Sequence, residues 1–584
     1  MKKLRWLNWG LVGASALAAF FCGFLGLIEI IGNESGRDLF DAAYGSLQLF
    51  VLESPLDVGQ ESNIFYMIAR FLAPLTLAFT AVKTFQKMAI EEVREQRLRH
   101  MSGHAVICGL GRKGYEIARQ CRDDCAVVII ECDENNDFIE TCRDRGDYVL
   151  TGDAAEPALL EKARAAYAKY IYLVTRDDGS NFSALVAINE IKLRERIFNQ
   201  RQKVWLHLNS IDMCSFLRED EILAKVRENL DFEIVSLFES AARQLVVEEL
   251  VPWLPARPED DRRFHLILAG LGRMGRTIVR KLAQTAVTPN GIPPRATVIS
   301  LDAEGDLMKL EAELPAIQTC CPTSAHRGDI LHGKTLQKIS ELVCESQGKG
   351  EIPVVCLAVN SQYANISAAL TLADPFFKNS GVSDVPIFVR QTESEGWSAL
   401  AEDLTEQSEG SYKIIRGFGA IEGLCRLEEM RLERVDAIAR VFHEAYLDVF
   451  GDGGAPSHSQ WQDLSWQYRQ SNRLLAEHLR VKLRAIGLDW TDERSAATAK
   501  FDPEQSELEM LAKLEHCRWM VEKILSKWVV GERSDYGNRV HECMVKWDEL
   551  SQNEKQKDIK IIESIPAALE KGGLRLVGDR QRDG

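Results

Sequence analysis

Two long apolar runs open the chain, and from residue 104 onward short apolar runs of strand length alternate with helix-period segments. The first long run extends from about Trp6 to Ile31, with no charge before Glu29, and the second from Ile64 to about Phe85. At a rise of ~1.5 Å per residue, about twenty residues cross a hydrocarbon core, so each run is long enough to span one. A signal peptide would have a shorter apolar region and a cleavage site, whereas here a second span follows. Lys2, Lys3 and Arg5 precede the first span, and Lys83, Lys87, Arg94, Arg97 and Arg99 follow the second. The connection carries Glu34, Asp38, Asp41, Glu53, Asp57 and Glu61 against Arg37 alone. The positive-inside rule then predicts a multi-pass protein of the cell inner membrane with both termini in the cytoplasm.

The stretch Asp38 to Leu52 is amphipathic and too short to span. It reads either as a re-entrant half-helix, tolerated at membrane depth where protein or water covers it, or as an interfacial helix. The order span, short helix, span resembles the pore module of two-helix potassium channels. That resemblance implies a pore, with Glu53 or Asp57 as an acidic ring favouring cations. A carbonyl filter needs a Thr-Val-Gly-Tyr-Gly type stretch, and Val51 to Asp57 departs from it, so K⁺ selectivity is not expected. Arg70 is either a functional intramembrane charge or a side chain that snorkels to the headgroups, and Pro74 is expected to kink the second span. The charged segment from Val82 to His100 suits mechanical coupling and a plain stalk equally well.

Beyond the spans, His104 to Cys108 forms a strand pattern that runs into Gly109-Leu110-Gly111-Arg112-Lys113-Gly114 and then a helix. In that setting the glycine turn lets backbone N–H groups and the helix dipole face a pyrophosphate. Strand Ala126 to Ile130 ends at Glu131, with Asp133 two residues on, and an acid there is placed to hold ribose hydroxyls. Arg112 and Lys113 could neutralise phosphate charge. The continuation is strand Val149 to Thr151, the turn Gly152-Asp153, a helix from Ala158, strand Tyr170 to Thr175 and a loop to Asn181. This order resembles the nucleotide-binding domain of the RCK (regulator of K⁺ conductance) and Trk-type (TrkA-N-like) family over roughly residues 103–250. The resemblance implies a domain that senses NAD(H), ATP, ADP or a related nucleotide without chemistry and pairs with a second such domain. It also implies that Gly109, Gly111, Gly114, Glu131, Asp153, Thr175 and Asn181 line the ligand.

The pattern recurs, as expected of a duplicated domain. His265 to Ala269 leads into Gly270-Leu271-Gly272-Arg273-Met274-Gly275. Asp302 stands where Glu131 stood, Gly328-Asp329 answers Gly152-Asp153, and Asn365 answers Asn181. The copy either binds ligand through Gly270, Gly272, Gly275, Asp302 and Asp329 or is kept for dimer packing. A dehydrogenase would need a substrate domain with a proton donor, and no such cluster follows either repeat.

From about Glu433 helical periodicity replaces βα alternation, and six of the eleven tryptophans fall between there and residue 550. Glu515-His516-Cys517-Arg518-Trp519, Trp528-Val529-Val530-Gly531-Glu532, Trp547-Asp548-Glu549-Leu550 and Glu554-Lys555 together resemble the RyR domain, the repeat named in ryanodine receptors. That resemblance implies a small helical fold that recognises a small ligand, with Glu515, Arg518, Trp519 and Trp528 as candidate contacts: Arg518 for phosphate, the tryptophans for a base. Helix-spaced tryptophans are also common core residues. Residues after about Glu433 are expected to be removable without unfolding the part before them.

Composition narrows the reading further. At 584 residues the chain needs several cores. A net charge of −16 gives no general basic face for nucleic acid. Fourteen cysteines show no CxxC pair and sit mostly in apolar runs, as reduced core residues do. No metal site and no catalytic residue are expected. The expected fold is an α-helical membrane N-terminus (1–101), two doubly wound α/β Rossmann-like domains (102–255 and 256–432) and a mainly α RyR-like domain (433–584). The expected function is a homo-oligomeric, tetrameric or dimeric, ligand-gated ion-channel-like protein that senses a nucleotide. A non-conducting membrane-attached sensor or effector is the alternative, and an NAD-dependent oxidoreductase a further one.

Overall fold

The computed structural model describes residues 2–31, 36–53, 55, 63–197, 202–210, 213–214, 216–217, 223–374, 385–392, 415–450, 456–493, 495–496 and 498–578. The chain divides into two compact units, Met1–Met101 and Ser102–Gly584.

In the first unit, α1 (Lys2–Ile31), α2 (Gly36–Gln48) and α3 (Ile64–Arg99) pack together. Gly10–Ile31 and Ile64–Gln86 are long and apolar enough to cross a membrane. Small residues set the α1–α3 seam: Ala19, Ala69 and Ala73 are fully buried, and a Cβ on Gly26 would lie 2.5 Å from the Tyr66 backbone nitrogen. Asn63 caps α3 by accepting from the Tyr66 N–H at 2.9 Å, and its amide donates to the Gly26 carbonyl at 3.0 Å. The large apolar side chains face outward instead. Leu17, Phe21, Phe71, Leu75 and Phe85 are exposed, and so is Phe40 of α2 at 80%. A soluble core helix would bury these side chains, whereas lipid or another protein surface would cover them. Arg70 lies exposed on α3, and Pro74 sits inside that helix. Glu53 is exposed, 3.4 Å from the Gln48 amide, while Asp57 lies outside the described residues.

The second unit begins with two six-stranded sheets, parallel throughout. The first is ordered β3-β2-β1-β4-β5-β6, from β1 (Ala105–Cys108), β2 (Val127–Glu131), β3 (Tyr148–Thr151), β4 (Tyr170–Leu173), β5 (Lys203–His207) and β6 (Asp231–Val235). The second repeats that order as β9-β8-β7-β10-β11-β12, from β7 (Phe264–Ala269), β8 (Arg295–Ser300), β9 (Thr323–Arg327), β10 (Ile352–Leu357), β11 (Ile387–Arg390) and β12 (Ile415–Phe418). β1 and β7 are wholly buried, as strands covered on both faces are. Each feeds its glycine turn at the point where strand order reverses, the position at which doubly wound sheets bind ligands.

Helices Glu433–Phe450, Trp466–Glu477, Leu479–Ala485, Gln505–Leu525, Gln552–Glu563 and Ile565–Lys571 form the C-terminal region. A small antiparallel pair, β13 (Leu488–Thr491) with β14 (Arg575–Gly578), joins them. This region is not separable at Glu433, contrary to expectation. Its Val481, Leu514 and Leu525 belong to the same buried core as Leu266, Ile278 and Leu282 of the second sheet domain. Cutting there would open that core to water. The segment just before it returns to the first sheet, where Cys425 and Met430 are buried with Ile107 and Ile129. There the Arg431 guanidinium donates to the Tyr172 hydroxyl at 3.0 Å and lies 4.4 Å from the Tyr170 ring centre.

Candidate functional site

The three glycines of the first turn do different jobs. Gly109 has φ +99, and a Cβ there would stand 2.8 Å from the Thr175 Cα. A Cβ on Gly114 would lie 1.9 Å from the Gly109 carbonyl oxygen, so both positions require glycine for the packing of turn, helix and β4. Gly111 differs, because its φ is −68 and nothing lies within 4 Å of a Cβ built on it. The helix Arg112–Cys121 starts there with no side-chain cap, so its first N–H groups face the open space above Gly111.

Glu131 reaches this turn but spends much of its capacity on it. Its carboxylate is 6% exposed and accepts from the Leu110 N–H at 2.5 Å and the Asp133 N–H at 2.9 Å. A ribose would share it with the backbone. Asp133 and Asp153 are exposed and accept from the Asn135 and Ala155 N–H groups. Arg112 is exposed at the helix start. Two expectations are corrected. Asn181 does not line the ligand space: it is fully buried and its side chain is committed to Thr175 N–H (2.9 Å), Thr175 Oγ1 (2.8 Å), Thr175 carbonyl (3.3 Å) and His207 carbonyl (3.0 Å). It clips the end of β4 to the end of β5 and so positions Thr175. Lys113 turns inward to His207 Nδ1 at 3.3 Å instead of toward phosphate. Burial, and then Lys113, push the His207 imidazole down to about 3, so it is the neutral acceptor of that bond.

The second turn is built alike. Gly270 has φ +94, a Cβ on Gly275 would meet the Gly270 carbonyl at 2.0 Å, and Gly272 opens on free space. Asn365 clips β10 to β11 through the Val359 and Arg390 backbones, as Asn181 does in the first copy. The acids diverge: Asp302 caps the helix Ala303–Glu313 through the Gly305 N–H at 3.2 Å, and Asp329 accepts from the Leu331 N–H at 3.0 Å. Shorter by one methylene than Glu131, Asp302 serves its own helix.

A cavity of about 170 Å³ lies within the C-terminal helices. Trp519 and Trp528 line it, joined by Tyr446, Tyr468, Tyr536 and His541, which sequence spacing did not group because they come from distant segments. Trp528 is 6% exposed, and its indole N–H has no hydrogen-bond partner among the described residues. Lys523 Nζ lies 5.4 Å from the Trp528 ring centre and 5.8 Å from that of Trp519. Arg518 corrects its expected role. At 2% exposure, its Nε and Nη2 donate to Glu515 (3.0 and 2.8 Å) and its Nη1 to Glu522 (2.8 Å). Burial would raise the Glu515 carboxyl, but Arg518 and Lys482 hold it below its ordinary range. Burial, reinforced by Glu515, pushes the carboxyl of the cavity-lining Asp558 well up from its ordinary range. The arrangement suits an uncharged aromatic group stacked among rings with an acceptor toward Trp528. At about 170 Å³ the cavity falls below the roughly 300–1,000 Å³ of drug-sized sites, so it fits a single ring system better than a dinucleotide.

Comparison with known proteins agrees with this layout. Residues 105–213 match the TrkA-N domain and residues 499–576 the RyR domain, so the chain carries both. No curated protein matches it. Among solved structures, it is similar to GsuK bound to ADP (15% identity, 73% of this chain and 96% of that chain, TM-score 0.36). The GsuK channel (15%, 74% and 97%, TM-score 0.39) and the GsuK channel bound to NAD (13%, 74% and 85%, TM-score 0.38) are similar to the same degree. At those values the likeness carries no argument about function.

Proposed function

We propose that this chain is a membrane-anchored, homo-oligomeric nucleotide sensor whose cytoplasmic domains control a small transmembrane pore. It performs no chemistry of its own. The carrying observation is the open space over Gly111 at an uncapped helix start, inside a TrkA-N domain whose chain also bears two membrane-length helices. A pyrophosphate fits that space because N–H groups and the positive helix end point at it without a side chain between. NAD(H), ATP and ADP are the ligands of matching chemistry. The aromatic cavity of the RyR domain supplies a second input, sized for one ring system. The charge asymmetry around the two spans supports cytoplasmic termini.

Gly111→Val separates binding from folding. A Cβ there meets nothing within 4 Å among the described residues, so thermal stability should stay near that of the parent, while affinity for NAD(H), ATP or ADP by calorimetry falls at least ~10-fold, about 1.4 kcal/mol. Unchanged affinity would place the nucleotide elsewhere. Glu131→Ala is a less clean probe, since it also removes the brace on Leu110.

The absence of a Thr-Val-Gly-Tyr-Gly type stretch across residues 51–57 favours, as a second reading, a sensor that acts through partners without conducting. Ion flux in liposomes distinguishes the two. Nucleotide-dependent flux supports the pore, and its absence in intact, nucleotide-binding protein supports the partner-acting sensor.

A further inference from the structure

A cleft of about 370 Å³ lies where the two sheet domains meet the C-terminal helices, apart from both glycine turns and from the aromatic cavity. Ser236, just after β6, reaches it from the first domain; Arg280 and Gln284, on the helix Arg273–Thr285, from the second; Gln470, Lys527 and Arg539 from the C-terminal region. Its volume lies within the range of small-molecule sites, and junctions between domains are common places for them.

Two features mark it as built for a ligand. Ser236 is 2% exposed, yet its hydroxyl has no hydrogen-bond partner among the described residues. A buried hydroxyl without a partner is costly, so one on a residue that lines a cleft calls for a polar occupant. The second feature is charge. Seven basic and five acidic side chains line the cleft, in a chain whose net charge is −16. Four of those acids are already held by cations: Glu233 by Arg469 at 3.1 Å, Glu477 by Lys281 at 2.7 Å, Glu522 by Arg518 at 2.8 Å and Glu313 by Arg276 at 2.8 Å. Lys527 has no carboxylate partner among the described residues, and Arg280 reaches Glu313 only at 3.8 Å. Arg243 and Arg473 are likewise held, by Glu429 and Asp436 at 2.6 Å each, so the charge left for a ligand is that of Lys527 and Arg280, beside hydroxyl and amide groups.

We propose that this cleft binds a small phosphorylated polyol, with phosphate at Arg280 and Lys527 and ligand hydroxyls at Ser236, Gln284 and Gln470. A guanidinium and an ammonium complement phosphate, while the serine and glutamines offer both donors and acceptors to hydroxyl groups. The chemistry is shared by a free sugar phosphate and by the ribose phosphate of a nucleotide. Occupancy would bear on the other sites, because Arg273–Thr285 runs from the second glycine turn to the cleft and Lys523 lines both the cleft and the aromatic cavity. The ion pairs Lys281–Glu477 and Arg473–Glu233 cross the same junction.

The test uses the full chain in detergent with Gly111→Val and Gly272→Val installed, so that neither glycine turn contributes, and titrates ribose 5-phosphate, ATP and inorganic pyrophosphate by calorimetry. Ribose 5-phosphate is expected to bind, Arg280→Gln with Lys527→Glu to weaken it at least tenfold, and Ser236→Ala to weaken it several-fold. Binding of ATP but not ribose 5-phosphate, with the same sensitivity to these variants, supports the proposal with a nucleotide as the source. Pyrophosphate binding as well as either, with Ser236→Ala silent, overturns the hydroxyl assignment. No binding of any probe, or binding indifferent to Arg280 and Lys527, means the cleft holds water only and overturns the proposal.

Discussion

Arg518→Leu is expected to unfold the C-terminal helical region, with a loss of about 3–5 kcal/mol, the usual cost of removing one partner from a buried ion network. Arg518 sits between Glu515 and Glu522, and Lys482 and Lys523 complete the row at 2.8 and 3.1 Å. Deleting the guanidinium leaves two buried carboxylates with one ammonium each. The damage should spread, because the same helix supplies Leu514 and Leu525 to the core shared with the second sheet domain. Urea unfolding followed by tryptophan fluorescence measures the effect through Trp519 and Trp528. Replacing Glu515, Arg518, Glu522, Lys482 and Lys523 together by apolar residues of similar volume should cost much less than the single change, since no charge of the row is then left unpaired. A single variant with the parent's midpoint and only a weakened ligand would return Arg518 to the role of phosphate contact.

That contrast explains what could be read along the chain. The glycine turns, their flanking strands and the duplication were legible because they are local: a buried strand, a fixed glycine spacing and a helix announce themselves within fifteen residues. The two helices of membrane length were legible for the same reason. Asn181 and Arg518 were placed in the right neighbourhood but given the wrong task. Sequence tells that a polar group is present, not which backbone carbonyl or carboxylate has already claimed it. In Asn181 the claimants lie just past β4 and on β5, and in Arg518 one turn to either side on its own helix. The pairing of β13 with β14, the return of residues 421–432 to the first sheet and the ring of tyrosines around Trp528 depend on segments far apart in the chain. No periodicity encodes them. Gly111 and Gly114 are indistinguishable as letters, and only the space around each shows that Gly114 packs and Gly111 opens on free space.

Mild acid should destabilise the Ser102–Gly584 unit well before its carboxylates titrate. Burial, and then Lys113, lower His207 to about 3. Burial, and then Arg295, lower His265 to about 3, and its ring nitrogens are bonded to Ser346 and Thr297 at 3.0 and 2.8 Å. Both imidazoles are therefore neutral in the folded protein, including His265 beside Glu351 at 3.7 Å. An unfolded chain takes up protons at these residues near pH 6.5, whereas the folded chain does so only near pH 3. Stability is thus whole above about pH 6.5 and is lost as pH falls toward 3. At pH 5 each histidine contributes a loss of ~2 kcal/mol. Together that is a large part of the roughly 5–15 kcal/mol that holds an ordinary domain. His478, lowered by burial and by Lys482, adds to the loss with the same sign. Glu233, Glu515 and Glu522, which burial would raise but their cationic partners hold down, add theirs only below about pH 4.5. Asp558 works the other way, since a buried acid with a raised value is eased by protonation. Melting temperature followed from pH 7.5 to pH 5 should therefore fall steadily. His207→Gln, which keeps an acceptor for Lys113 but cannot take up a proton, should flatten that fall, and His265→Gln should flatten it further. A melting temperature flat across this range, or a slope indifferent to both substitutions, would mean that these buried imidazoles are not what makes the fold acid-sensitive.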